Sequence, residues 1–256
     1  MSSQIVLKLK PEEDELFRKR QEFAAVQATL AERELDLTEL SRQLSAFESL
    51  YVREVGVLYA ELDLWNARIA EWQAQVAPSS RSAQRARTAR KQARETHEAA
   101  QGQSSRAPNF DPSPELKRLF REVAKRFHPD LGRDEADYGR RTKLMAEANR
   151  AYRAADAESL QAILDAEEYS CDSPELGERL GTQLVRVIRQ ISRAKERVHQ
   201  IELDLERLRK SELALLMADA NKAQELGRDL IAELSAKVTA EIRVAREHYE
   251  AVIRKR

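Results

Sequence analysis

Residues 113–130 read SPELKRLFREVAKRFHPD, a stretch that predicts one helix with a defined beginning and a defined end. Ser113 can cap this helix, and Pro114 suits its first turn because no backbone N–H is needed there. The apolar residues recur at helical spacing and form one stripe: Leu116, Leu119, Phe120, Val123 and Phe127. The proline of the following tripeptide, HPD at 128–130, prevents the helix from continuing.

The same helix is basic outside its apolar stripe. Against Glu115 and Glu122 it carries five basic residues, a local charge of about +3: Lys117, Arg118, Arg121, Lys125 and Arg126. Basic side chains at helical spacing steer association with a negatively charged surface. The helix is therefore predicted to pack by one face and to offer a cationic face to a partner.

Two more helices are predicted after the tripeptide. Asp134 suits the N-cap of the first, whose inward residues are Leu144, Met145, Ala148 and Tyr152. The second follows Asp156, with inward residues Leu160, Ile163 and Leu164. Segment 113–168 is thus expected to form two antiparallel helices with a loop at their tip, closed by a third helix.

Segment 113–168 resembles the J domain of the DnaJ-type cochaperones. Three features carry the resemblance: the basic helix, the loop tripeptide His128, Pro129 and Asp130, and the stretch EANRAY at 147–152. The last is similar to the family's sequence of Glu, an apolar residue, Asn, any residue, Ala and Tyr. Because the three features occur in the family's order and spacing, together they are far more specific than an isolated HPD.

The resemblance implies a function in which the partner performs the chemistry. J domains bind heat-shock chaperones of the DnaK type and stimulate their ATP hydrolysis. His128, Pro129 and Asp130 would form the triggering loop, displayed at an exposed tip, and the five basic residues of the helix would contact an acidic chaperone surface. The chain itself is then expected to be no enzyme and to need no cofactor.

The sequence also departs from the family. The aromatic-rich first helix of J domains has no clear counterpart, and the replacement available at 85–100 is poorly apolar. Ala148 stands where the family often has a larger aliphatic residue. The sequence contains neither a Gly/Phe-rich segment nor zinc-binding cysteine repeats, which points to a J domain carried on a coiled coil.

Long amphipathic helices are predicted on both sides of this segment, at 11–77 and 173–256. In the first, apolar residues three and four apart form a seam from Phe23 to Val76, with Arg at position 33. Two successive steps of four at 47–55 form a stutter, which locally unwinds a coiled coil.

The second helical region opens at Ser173-Pro174-Glu175 and has its seam from Leu180 onward. Its register blurs at 211–222, where a bend or break is expected. Because neither seam can be buried alone, the predicted fold is all-α, a long antiparallel coiled-coil hairpin with the small helical J domain inserted. This hairpin places Val76 and Leu180 at one end and Phe23 toward the other; a homodimer that uses the same seams is the alternative.

Residues 78–112 are predicted to be a basic helical or mobile linker, and residues 1–10 a flexible tail. No acid occurs between Trp72 and Arg94, whereas six basic residues do: Arg81, Arg85, Arg87, Arg90, Lys91 and Arg94. Such a run can hold phosphates without base preference, since it lacks stacking aromatics. Its alternative interpretation is a solvated helix face.

The composition excludes several classes of protein. Charged residues make up 34% of the 256 residues and aromatics 5%, with only seven Gly and seven Pro, a profile typical of long helices. The net charge is zero, and the single cysteine and four scattered histidines predict no disulfide and no metal site. Without an apolar stretch of membrane-spanning length or a secretory signal, a cytoplasmic protein is expected. The remaining alternative is a structural coiled-coil adaptor with a J-like cap.

Overall fold

The computed structural model describes residues 11–102, 112–168 and 179–254, and every element within these ranges is helical. The elements are α1 (Pro11–Tyr51), a π-helical turn (Val52–Gly56), α2 (Val57–Val76), α3 (Ser80–Gly102), α4 (Pro114–Phe127), a 3-10 turn (Pro129–Leu131), α5 (Glu135–Ala154), α6 (Ala157–Glu168), α7 (Leu180–Arg209), α8 (Glu212–Glu225) and α9 (Leu230–Arg254). The all-α prediction is confirmed for the described residues.

The predicted tail at 1–10 and the start of the second helical region at 173–178 lie outside the described residues, as does 103–111 of the predicted linker. The chain divides into two compact units. The first contains the described residues of 1–42 and 110–209, and the second those of 43–109 and 210–256.

Helices α1 and α7 of the first unit run in the same direction. Leu16 shares an apolar cluster with Val187 and Ile191, whereas Leu30, further along α1, shares a second cluster with Ile201, further along α7. Ion pairs follow the same order, because Glu22 contacts Lys195 and Arg33 contacts Glu202. Residue numbers therefore rise together along both helices, which makes the pair parallel.

The predicted antiparallel hairpin is therefore wrong for this pair of helices. It required Phe23 to lie far from Leu180, but the two pack against the same cluster. The prediction assumed that the whole connection between the two long helical regions, the basic linker together with segment 113–168, reverses the chain. In the second unit the chain already reverses between α2 and α3, which are separated by only three residues.

Helix α3 packs against α2 through small side chains. Ala60 and Ala67 of α2 and Ala93 of α3 are buried, and Arg90 reaches Glu71 at 3.8 Å. Alanine faces allow two helix axes to approach closely, so a helix without large apolar residues can still be packed. Of the two forms left open for the linker, a helix is thus found at 80–102.

The predicted stutter coincides with the π-helical turn between α1 and α2. The backbone N–H of Val57 donates to the carbonyl of Val52, five residues earlier, so this turn is wound less tightly than the α-helix on either side. In the second unit Trp65 of α2 packs on Tyr249 of α9, with ring centroids 5.7 Å apart.

The second helical region has a helix boundary at the point where its predicted register becomes irregular. Helix α7 ends at Arg209, and Ser211 caps α8 by accepting a hydrogen bond from the Ala214 N–H at 3.2 Å. A second interruption follows α8, where Gly227 has a φ of +72°. Glycine adopts this left-handed conformation without steric cost, which ends the helix and lets α9 begin at Leu230.

Helices α4, α5 and α6 pack around one apolar core. The core contains the complete predicted stripe of α4 together with Met145, Ala148, Tyr152, Leu160, Ile163 and Leu164. At its centre the rings of Phe120 and Tyr152 lie 4.9 Å apart between centroids. Ala31 and Leu35 of α1 complete this core, whereas the sequence had suggested 85–100 as the replacement for a missing helix.

Candidate functional site

The HPD tripeptide lies between the end of α4 and the beginning of α5. His128 is extended, with φ −64° and ψ 135°, as expected for a residue that precedes proline. Pro129 then begins the 3-10 turn, and Asp134 caps α5 by accepting from the Asp137 N–H at 2.8 Å. We refer to residues 128–132 as the HPD loop.

The imidazole of His128 is buried, with 4% of the residue exposed. Its Nδ1 atom accepts a hydrogen bond from the backbone N–H of Asp130 at 3.1 Å, so the ring proton is on Nε2. Nε2 donates this proton to Oε1 of Glu34, on α1, at 2.9 Å. The geometry therefore selects one neutral tautomer and attaches the loop to α1.

Glu34 connects the HPD loop with both long helices of the first unit. It is 6% exposed, and its Oε1 also accepts from Nη2 of Arg197, on α7, at 2.8 Å. Burial alone would raise the pKa of Glu34, but the hydrogen bond from His128 and the positive charge of Arg197 outweigh it and lower the pKa. Glu34 is therefore a charged carboxylate that bridges three elements.

The rest of the HPD loop is also held by these helices. Leu131 is 2% exposed and packs in the apolar cluster that joins α1 and α7. Gln190 donates to the carbonyl of Leu131 at 2.8 Å, and Arg193 donates to the carbonyl of Gly132 at 2.9 Å. The exposed tip expected from the sequence is thus wrong for His128, although the side chain of Asp130 retains 29% of its accessible surface.

The five basic residues of α4 divide into two groups. Lys117 pairs with Glu39 at 3.1 Å and Arg121 with Glu32 at 3.2 Å, so both contact acidic residues of α1. The other three are exposed: Arg118, Lys125 and Arg126. Arg126 forms a pair with Glu122 within α4 at 3.4 Å. Part of the predicted partner surface is therefore occupied by the chain's own acidic helix.

The six basic residues predicted as phosphate contacts all lie on α3 and are exposed: Arg81, Arg85, Arg87, Arg90, Lys91 and Arg94. Lys91 and Arg94 contact Glu95 and Glu98 of the next turn, at 3.6 and 2.7 Å. Surface pairs of this kind contribute little stability and are screened by salt. Binding of nucleic acid by this face stays a prediction.

The sequence did not identify Glu34, Arg197, Gln190 or Arg193 as parts of the site. Glutamate, arginine and glutamine are the residue types that normally occupy the solvent-facing positions of long amphipathic helices. The residues around Glu34 in the sequence do not indicate that its side chain will contact a histidine 94 positions later. Only the packing of the loop between α1 and α7 brings these groups together.

The described residues contain no group of three or more His, Cys, Asp or Glu side chains able to hold a metal ion. None of the described helices is both long and apolar enough to cross a membrane. No protein-family model, curated protein or solved structure matches this chain.

Proposed function

We propose that this protein is a J-domain cochaperone that binds a DnaK-type heat-shock chaperone and stimulates its ATP hydrolysis. The observation that supports it is the position of the HPD tripeptide. It lies in the loop between the basic helix α4 and α5, whose Tyr152 packs on Phe120 at a centroid distance of 4.9 Å. The surrounding parallel helices would then supply contacts to a client or another partner.

The contacts of the HPD loop make this activity conditional. A chaperone that binds the His128 side chain has to displace Glu34 from it, because the two side chains are hydrogen-bonded and both are buried. Arg118 and Lys125 stay exposed on α4 and can make the first electrostatic contact. We call the conformation in which His128 is hydrogen-bonded to Glu34 closed, and the one in which the HPD loop has left α1 open. We therefore expect weak stimulation of the chaperone by the closed conformation and stronger stimulation by the open one.

His128→Gln is expected to abolish stimulation of single-turnover ATP hydrolysis by a purified DnaK-type chaperone, while helicity measured by circular dichroism stays unchanged. Glutamine cannot reproduce the imidazole that the resemblance assigns to the triggering loop. The control is His199→Gln, which changes an exposed histidine of α7. Equal stimulation by the wild type and His128→Gln would contradict the proposed role of the loop.

A structural adaptor is the second candidate, and the burial of the HPD loop favours it. Leu131 packs between α1 and α7, and Gln190 and Arg193 hold the loop backbone, as a purely structural cap would require. Under this hypothesis, partners bind the two long helical regions and do not contact the HPD loop. Asp130→Asn is then expected to leave every partner bound in a pull-down, whereas loss of every partner would contradict the adaptor hypothesis.

A further inference from the structure

A groove of about 890 Å³ lies between α2 and α3 of the second unit. Small side chains form its floor, since three of the alanines that line it are buried: Ala60, Ala67 and Ala93. Two large apolar residues of α2 also line the groove and are 49% and 45% exposed: Val57 and Leu64. The floor is therefore covered by the packing of α2 on α3, whereas the apolar edge is open to solvent.

The dimensions of the groove suit a helix. Its lining residues extend from Val57 to Glu71 on α2 and from Arg90 to Gln101 on α3. At 1.5 Å per residue these stretches measure roughly 16–21 Å, or about three to four helical turns. Val57 and Leu64 are one heptad apart, the spacing at which a coiled coil repeats its contacts with a further helix. A helix with large apolar side chains on one face would fill the groove.

The charges around the groove select an acidic helix. Helix α3 carries six basic and two acidic residues, and α2 carries one basic and three acidic residues, so this pair of helices has a net charge of +2. Three basic residues of α3 have no ionic partner in the described parts of the chain: Arg81, Arg85 and Arg87. Arg87 precedes Arg94, which lines the groove, by one heptad, so the two occupy the same side of α3. The excess positive charge is thus on the α3 side.

The other basic residues of α3 are paired, but only weakly. The side chains of Arg90 and Arg94 are 82% and 79% exposed, and Arg90 lies 3.8 Å from Glu71. Exposed ion pairs of this kind contribute little stability and are screened by salt. Carboxylates of a bound helix can therefore replace Glu71 and Glu98 at small cost, and they also meet the unpaired Arg87.

We propose that this groove binds an acidic amphipathic helix of a partner protein, with leucine-sized side chains in the groove and carboxylates facing α3. Two other occupants fit less well. A second copy would place one positively charged pair of helices on another, and charges of the same sign oppose association. A nucleic acid would cover the apolar Val57 and Leu64 and bring its phosphates near Glu61 and Glu71, which also line the groove. The proposal is independent of the cochaperone activity.

Binding of synthetic helical peptides to the full chain tests this proposal. The probe is a fluorescently labelled peptide of about 18 residues, or about five turns, with leucine on one face and glutamate at the adjoining positions. One matched peptide has lysine in place of glutamate, and another has alanine in place of leucine. By fluorescence anisotropy we expect saturable binding of the probe, at least tenfold tighter than that of either matched peptide. Equal affinity for the lysine peptide, or no binding of any peptide, would overturn the proposal.

Two single substitutions show whether the groove is the binding site. Leu64→Glu is expected to weaken binding of the probe at least tenfold. Val244→Glu is the control, because Val244 of α9 is 61% exposed and lies outside the groove, and it should leave binding unchanged. Since both positions are exposed, both variants are expected to fold. Equal effects of the two substitutions would contradict a site in the groove.

A pair of charge substitutions tests the α3 side of the groove. Arg87→Gln with Arg94→Gln should weaken binding about threefold or more at low salt. Arg243→Gln with Arg246→Gln removes two exposed charges from α9 and should not change it. Equal loss in both double variants would overturn the assignment to α3. A dimer or an oligonucleotide complex that Leu64→Glu abolishes would assign the groove to another occupant and would also overturn the proposal.

Discussion

Glu34→Ala is expected to raise stimulation of a DnaK-type ATPase about tenfold or more, at cochaperone concentrations below saturation. The substitution removes the acceptor of the His128 proton and the carboxylate that holds Arg197. Hydrogen bonds to charged groups contribute roughly 1.5–3 kcal/mol each. Loss of one such bond therefore moves the balance between closed and open loop by roughly 10- to 100-fold toward the open form.

Two controls isolate the loop in this experiment. Glu202→Ala removes the contact of this half-exposed carboxylate with Arg33, 3.5 Å away, without touching the loop, and should leave stimulation unchanged. Amide hydrogen exchange at Asp130 and Leu131 should become faster in Glu34→Ala, which checks loop opening without any chaperone. Unchanged exchange would contradict the closed-loop model, whereas faster exchange without stimulation would contradict the cochaperone proposal.

The local structure of segment 113–168 was predictable because its signals lie close together in sequence. Ser113 caps α4 by accepting from the Leu116 N–H at 3.1 Å, and Asp134 caps α5 in the same way. The predicted stripe of α4 is fully buried. Caps and helical stripes depend on neighbours within four residues, so a single sequence contains all the information they require.

The partners of these helices were harder to predict. Ala31 and Leu35 lie beside the seam of α1 and look like ordinary flanking residues, yet they complete the core of segment 113–168. The packing of α3, by contrast, was indicated by a pattern in its own sequence. Small residues recur every three or four positions and occupy its inner face, buried or half-buried: Ala86, Ala89, Ala93, Thr96 and Ala100. A search for large apolar residues alone overlooks such a stripe.

The direction of α7 relative to α1 could not be predicted from the seams. Apolar residues that repeat every three or four positions are compatible with parallel and with antiparallel pairing. The direction depends on contacts between residues far apart in sequence, because Leu16 packs with Val187 and Glu22 pairs with Lys195. The parallel arrangement also brings Arg197 to Glu34, the carboxylate that holds His128 of the HPD loop.

Leu131→Ala is expected to destabilise the first unit by about 2–5 kcal/mol, the usual cost of a buried leucine-to-alanine change. Leu131 is 2% exposed and packs with Leu30, Ala194 and Ile201, so truncation leaves a cavity between α1 and α7. For a chain of this size the unfolding temperature should fall by roughly 4–20 °C. The control is Leu203→Ala. Because Leu203 of α7 is 42% exposed, this substitution should change the unfolding temperature little.

The same substitution distinguishes docking of the HPD loop from the integrity of the core of segment 113–168. Phe120→Ala should cost about 3–5 kcal/mol, because Phe120 is fully buried and packs on Tyr152. Although both variants lose comparable stability, Leu131→Ala frees the HPD loop and should raise stimulation of the chaperone, whereas Phe120→Ala damages the helices that present the loop and should lower it. An equal fall in stimulation for both variants would show that docking does not restrain the loop. A leucine-to-alanine cost below about 0.5 kcal/mol, typical of exposed positions, would show that Leu131 is not docked in solution.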